Sequence, residues 1–201
     1  MRASTRREFV AGPAGRIECA VDKPEGSPRG MALVAHPHPL FGGTLDNKVV
    51  QTLARAFVEL GYEAWRPNFR GVGQTEGVHD AGRGELEDLA VVLKSSRAER
   101  FILAGFSFGA SLVAQLAERT KPEWLVLIGV GITRIMAPAV PAGTLVIHGE
   151  NDDTVPLATV LEWARPQELP VVVVPGADHF FHRKLHVLKR LVQSRRDNWG
   201  G

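Results

Sequence analysis

An apolar run, Phe101-Ile102-Leu103-Ala104, ends in Gly105-Phe106-Ser107-Phe108-Gly109 and passes straight into the helix-like run Ala110-Ser111-Leu112-Val113-Ala114. This string constrains the fold more than any other part of the chain. It reads as a strand, a tight turn carrying a serine, and a helix. A sharp strand-to-helix turn needs small residues two positions on either side of its apex, because side chains there would clash where the helix start approaches the strand. The turn forces Ser107 into a strained backbone conformation and presents its hydroxyl at the carboxyl end of the strand. The helix start beneath it offers free N–H groups and the positive end of a dipole. Ser107 is therefore a candidate nucleophile, provided the chain also supplies a base, an acid and an oxyanion hole.

The rest of the chain alternates strand and helix. Residues 8–10 and 16–21, separated by Gly12-Pro13-Ala14-Gly15, read as a β-hairpin. Met31-Ala32-Leu33-Val34-Ala35 is a continuous apolar strand, as expected for one buried on both faces. Residues 44–60 repeat Val49, Val50, Leu53, Phe57 and Leu60 at helical spacing, and Gly61 is a natural stop. Further strands are expected at 63–67, 100–104, 124–129, 144–148 and 170–174, and further helices at 84–95, 107–118, 155–165 and 180–193. This alternation implies right-handed βαβ crossovers, hence a mostly parallel twisted sheet flanked by helices on both faces. Its 201 residues suit one α/β domain spanning 1–201.

Composition excludes several function classes. A net charge of +2 with scattered arginines gives no footing for nucleic-acid binding. No apolar run reaches the length of a membrane-spanning helix, and no secretory leader is apparent at the amino end. The single cysteine, Cys19, lies in a strand-like run as a small buried hydrophobe and permits no intrachain disulfide, so a cytoplasmic location is expected.

Every unusual loop follows a strand, which gathers them at one edge of the sheet, where parallel α/β folds bind ligands. A serine hydroxyl needs a base, and the base needs an acid to orient it. After the last expected strand comes Pro175-Gly176-Ala177-Asp178-His179-Phe180-Phe181, which makes His179 the candidate base; His182 and His186 read as structural or solvated. After the strand before it comes His148-Gly149-Glu150-Asn151-Asp152-Asp153-Thr154-Val155-Pro156. Asp152 is preferred as the acid, ahead of Asp153, which could cap the next helix, and of Glu150. His148 reads as a buried, hydrogen-bonded histidine.

The order Ser107, Asp152, His179 and the Gly105-x-Ser107-x-Gly109 turn resemble the α/β-hydrolase superfamily. Four further blocks are similar to a small group of short bacterial members described as carboxylesterase-like: His36-Pro37-His38-Pro39-Leu40-Phe41-Gly42-Gly43-Thr44, Asn68-Phe69-Arg70-Gly71-Val72-Gly73, His148-Gly-x-x-Asp152-x-x-Val155-Pro156 and Gly176-Ala177-x-His179-Phe180-Phe181. The resemblance implies an α/β-hydrolase fold and Asp152 as the triad acid. The oxyanion hole needs two backbone N–H groups. Phe108 should supply one. Pro37 and Pro39 have no N–H, which leaves Leu40 as first choice for the other and His38 as second. A metal at His36 and His38, with Asp152 or His79, is disfavoured because prolines flank both and zinc-ligand spacing is absent.

Residues 130–143 are too few to hold the cap that many α/β-hydrolases insert there. An open, shallow site is expected, rimmed by Phe41, Phe106, Phe108, Ile132, Ile135, Met136 and Phe180. Arg70 should brace neighbouring loops rather than bind substrate, and Glu76, His79 and Asp80 should form a solvated loop face. The expectation is a serine hydrolase that needs no cofactor and acts on a small ester or thioester of short to medium acyl or aryl type. The alternatives are a thioesterase, peptidase or acyltransferase on the same residues, or a binding protein on this fold. A haloalkane dehalogenase is disfavoured because that chemistry needs an aspartate at position 107. Oligomeric state is not legible.

Overall fold

The computed structural model describes residues 5–132 and 137–194. Its strands are β1 (Thr5–Gly12), β2 (Gly15–Asp22), β3 (Met31–Ala35), β4 (Glu63–Pro67), β5 (Phe101–Phe106), β6 (Trp124–Ile128), β7 (Leu145–Gly149) and β8 (Val171–Val174). Its α-helices are α1 (Lys48–Glu59), α2 (Arg83–Ser95), α3 (Phe108–Thr120), α4 (Leu157–Ala164) and α5 (Leu185–Ser194). The strands make one sheet in the order β1-β2-β4-β3-β5-β6-β7-β8. The β1–β2 hairpin is antiparallel and joins β4 antiparallel, while β4, β3 and β5 to β8 run parallel.

The apolar strands follow from two covered faces. Leu33, Leu103, Leu127 and Val146 point to one side and pack with Leu86 and Leu89 of α2, Leu112 and Val113 of α3 and Val160 of α4. Their neighbours Val34, Ala104, Val126 and Ile147 point to the other side and meet Val50, Leu53 and Phe57 of α1 and Leu188 and Val192 of α5. This is the period-two alternation of a strand, with both sets apolar because helices cover both faces. Burying each such Leu, Val or Phe contributes about 1.5–3 kcal/mol.

Two helices start later than their apolar periodicity suggests. α1 begins at Lys48 because Asn47 caps it, its Oδ1 accepting the N–H groups of Val49 (2.9 Å) and Val50 (3.4 Å). Residues 44–47 therefore precede the helix. α5 begins at Leu185, not near 180. Phe181 and Arg183 take left-handed φ values of 54° and 60°, and the Asp178 carboxylate accepts the N–H of His182 (2.9 Å), so 178–184 forms turns. Other boundaries shift by three residues or fewer.

The chain steps from β3 to β4 on one side, then returns to place β5 on the other side of β3. The direction of winding thus reverses between β3 and β5. In open parallel sheets this reversal opens a crevice at the carboxyl ends of the strands, and Ser107 stands at its β5 wall.

Candidate active site

The turn after β5 is built by close backbone approach. A Cβ on Gly109 would lie 2.5 Å from the Ala35 carbonyl oxygen, and one on Gly105 would lie 2.6 Å from the Ala110 nitrogen. Neither site has room for one, which explains the glycines on both sides of the serine. Ser107 itself has φ 56° and ψ −118°, a conformation that costs a non-glycine residue of order 1–3 kcal/mol. Neighbouring chain holds it there: its N–H donates to Ile128 O (2.9 Å) and its carbonyl accepts from Gly131 N–H (3.1 Å). Phe108, the first residue of α3, carries one of the helix-start N–H groups that lack an intrahelical partner.

The loops after β7 and β8 meet the serine. His179 Nε2 is 3.1 Å from Ser107 Oγ, and His179 Nδ1 is 2.7 Å from Asp152 Oδ2. His179 and Asp152 are buried, while Ser107 is half-buried at the opening. Asp152 is fixed by its own turn, Oδ1 accepting from Thr154 N–H (3.0 Å) and Val155 N–H (2.7 Å). Its Oδ2 thus faces the imidazole, which puts the His179 proton on Nδ1 and leaves Nε2 to accept from the serine hydroxyl. Gly149 lets the two loops approach, since a Cβ there would sit 2.6 Å from Ala177 O.

The other acids have separate duties. Glu150 accepts the N–H of Gly176 (2.7 Å) and so ties the β7 loop to the β8 loop. Asp153 is exposed and takes only the Thr154 hydroxyl (3.3 Å). It caps no helix, because α4 starts at Leu157 after Pro156 and has no side-chain cap. His148 is fully buried; its Nε2 bonds Val155 O (2.8 Å) and stands 3.4 Å from Asp152 Oδ2. Burial pushes its pKa down. Cys19 is buried as expected, and burial raises its thiol to about 12.

The loop after β3 forms a one-turn 3₁₀ helix, Pro39–Phe41. His36 anchors its start: Nδ1 bonds Pro37 O (2.6 Å) and Nε2 accepts the N–H of Phe69 (3.0 Å). Burial lowers its pKa to about 4, so it is a neutral structural histidine. Leu40, the expected second oxyanion donor, directs its N–H to His38 Nδ1 (3.3 Å) and is 69% exposed. Its N–H is thus engaged within the 3₁₀ turn. The His38 ring instead packs on the ring of Phe108, with centroids 4.7 Å apart. Gly43 has no room for a Cβ, which would lie 2.7 Å from His38 O.

The expected rim is corrected at two positions, Phe106 and Phe108. Phe108 is buried, its ring packed against those of His38 (4.7 Å) and Phe69 (5.4 Å). Phe106 is fully buried and lies under the base, its ring 4.8 Å from that of His179, because the last residue of β5 points into the α1–α5 layer. Phe41 (66% exposed) and Phe180 (44% exposed) face solvent, Phe41 with its ring 4.9 Å from that of His38 and Phe180 with its ring 5.2 Å from that of His179, and Ile132 is half-buried. Ile135 and Met136 lie outside the described residues. Two further exposed apolar residues, Leu40 and Val78, lie in the loops after β3 and β4. A concavity of about 400 Å³ lined by Pro28, Arg29, Glu63 and Arg100 lies at the amino ends of the strands, the edge opposite Ser107.

Two expectations for the loop after β4 have different outcomes. Arg70 braces, as expected: it grips Asp88 with two bonds (2.8 and 2.7 Å) and also donates to Gly84 O (2.8 Å). His79, expected on a solvated face, is turned inward with its Nδ1 2.7 Å from Glu85 Oε1. The detectable signal was Glu85 itself, which sits at the third helical position of α2 and accepts Gly82 N–H, as in a capping box.

No family model matches the chain. It is 38% identical to an α/β serine hydrolase homologue from Coxiella burnetii, over 94% of this chain and 96% of that one, with a TM-score of 0.88. It is 35% identical to a lidless α/β serine hydrolase from Xanthomonas campestris, over 99% and 96%, with a TM-score of 0.91. An uncharacterised Rickettsia prowazekii protein is 33% identical over 92% of this chain and 85% of its own length. With this fold, and with a serine, a histidine and an aspartate joined at the carboxyl edge, the chain belongs to the α/β serine hydrolases that lack a lid.

Proposed function

We propose that the protein hydrolyses carboxylic esters of short to medium acyl or aryl type through an acyl-enzyme. The observation that carries this reading is the continuous relay Ser107 Oγ–His179 Nε2 (3.1 Å) and His179 Nδ1–Asp152 Oδ2 (2.7 Å) at an uncapped apolar rim. Ser107 Oγ attacks the ester carbonyl as His179 Nε2 takes its proton. Asp152 keeps the imidazole in the accepting tautomer and stabilises the cation that forms. The imidazolium then protonates the departing alcohol. Water, deprotonated by His179, attacks the acyl-serine; the acid leaves and Ser107 recovers its proton. No cofactor takes part.

The oxyanion is held by the N–H of Phe108 and by a second N–H from the β3 loop. Because Leu40 already donates to His38 Nδ1, and because the His38 ring rests on Phe108, the backbone of His38 is the better second donor. The exposed Leu40, Phe41, Val78 and Phe180 favour apolar acyl or aryl groups in an open groove.

Turnover of p-nitrophenyl butyrate by wild type and Ser107→Ala tests the assignment. The variant should lose at least about a thousandfold in kcat, and a fluorophosphonate should label wild type at Ser107 only. Undiminished turnover in the purified variant would overturn it. A parallel panel of acyl-CoA thioesters and small peptides sets the bond preference.

A further inference from the structure

On the β3–β4 side of Ser107, away from Asp152 and His179 in strand order, lies another histidine–carboxylate pair. His79 Nδ1 is 2.7 Å from Glu85 Oε1. The geometry is out of line for a hydrogen bond, so the two groups meet as a close polar contact. Glu85 is fully buried at the start of α2. Its Oε1 also accepts the N–H of Asp80 and its Oε2 that of Gly82, each at 2.9 Å. Burying a carboxylate is costly unless its acceptor sites are filled. Backbone N–H groups fill two of them, and a histidine ring stands at a third. The remaining charges nearby are already engaged: Asp80 with Arg83 and Gly84 N–H, and Asp88 with Arg70.

The ring that Glu85 aims is in turn packed on the oxyanion loop. The His79 centroid is 4.9 Å from that of His38 and 5.8 Å from that of Phe108, and His38 and Phe108 are 4.7 Å apart. Three rings thus form a closed triangle. Two of its corners are the residues whose N–H groups are assigned to the oxyanion, and the third is tethered to α2.

We propose that His79, anchored by Glu85, is a positioning residue that holds His38 and Phe108 in the donor geometry of the oxyanion hole. This inference rests on the esterase reading above. It makes α2 part of the catalytic scaffold. A hole whose donors drift stabilises the tetrahedral oxyanion less while binding the planar ester almost as well. Loss of a whole donor costs roughly 100- to 1,000-fold in kcat, and loosening both donors should cost a fraction of that.

His79→Ala and His79→Phe, assayed with p-nitrophenyl butyrate and with an aryl boronic acid that forms a tetrahedral adduct on Ser107, test it. His79→Ala should lower kcat about 10- to 100-fold with KM within about twofold, and should weaken boronate inhibition by the same factor as kcat/KM. His79→Phe, which keeps a ring in the triangle and a filled core, should fall between Ala and wild type. It also keeps the test valid if the alanine variant folds poorly. Wild-type kcat in a folded His79→Ala would overturn the inference, as would wild-type kcat in His79→Phe where the alanine variant does not fold, or a fall in kcat with boronate affinity unchanged. Failure of the esterase reading is separable, because it would appear with position 79 unchanged, as no turnover by wild type or as undiminished turnover in Ser107→Ala.

Discussion

Asp152 divides its two carboxylate oxygens between two tasks: Oδ2 stands 2.7 Å from His179 Nδ1, while Oδ1 accepts the N–H groups of Thr154 and Val155. The second task fixes the first. The turn that follows β7 orients the carboxylate before any substrate arrives, so the tautomer of His179 is set by local backbone geometry.

This division makes Asp152→Asn informative. The amide oxygen can keep the Thr154 and Val155 bonds, so the fold should persist. The amide NH₂ then faces His179 Nδ1 and forces the proton to Nε2, where it opposes Ser107. We expect kcat for p-nitrophenyl butyrate to fall roughly 10³- to 10⁴-fold, as in serine proteases with the wrong tautomer. A loss smaller than tenfold would show that the acid does not act through the tautomer.

Stability should fall with pH before the carboxylates titrate. Burial holds His36 at about 4, below the ordinary histidine value of 6.5. Between those values the unfolded chain binds a proton that the folded chain refuses, so stability is complete above about pH 6.5 and declines as pH falls toward about 4. At about 1.4 kcal/mol per pH unit the full loss is on the order of 3 kcal/mol. Burial of His148 acts in the same direction. Urea midpoints from about pH 7.5 to about pH 5 should drop in wild type and drop less steeply in His36→Gln. A flat wild-type profile would contradict this account.

The two glycine classes should separate in stability. Gly109→Ala places a methyl against the Ala35 carbonyl, which is backbone and cannot rotate away, and should cost about 3 kcal/mol or more. Gly42→Ala meets open space and carries only the strain of φ 77°, a cost of about 1 kcal/mol. Thermal unfolding of both variants checks the order; equal losses would argue against the close approach at the elbow.

Arg70→Lys should affect stability and leave substrate affinity alone. Lysine cannot reproduce the two-bond grip on Asp88 together with the bond to Gly84 O. A loss of about 1–2 kcal/mol, or roughly 2–6 °C in Tm, is expected. Arg70 would become a substrate contact if KM for a carboxylate-bearing ester rose while Tm stayed constant.

Much of this protein was legible in its sequence because local rules carried the information. Apolar runs such as 31–35 and 101–104 needed no partner to read as buried strands. Gly105 and Gly109 announced a turn that admits no side chains, and the chain order of Ser107, Asp152 and His179 placed three chemical groups after three strands. Where a side chain must find a partner far along the chain, the sequence was mute or misleading. Phe106 reads as a rim residue beside the serine, yet strand alternation turns it into the core beneath His179. Leu40 has an N–H in the right loop, but the 3₁₀ turn commits that N–H to His38. His79 looks like part of a polar loop until α2 brings Glu85 behind it and the loop after β3 brings His38 beside it. Sequence by itself determined that Ser107, Asp152 and His179 follow strand ends at one edge of the sheet, because strand order and turn chemistry are local properties. Only the tertiary structure decided which N–H groups are already engaged and which rings pack together around the elbow, because that depends on contacts between segments that sequence spacing does not encode.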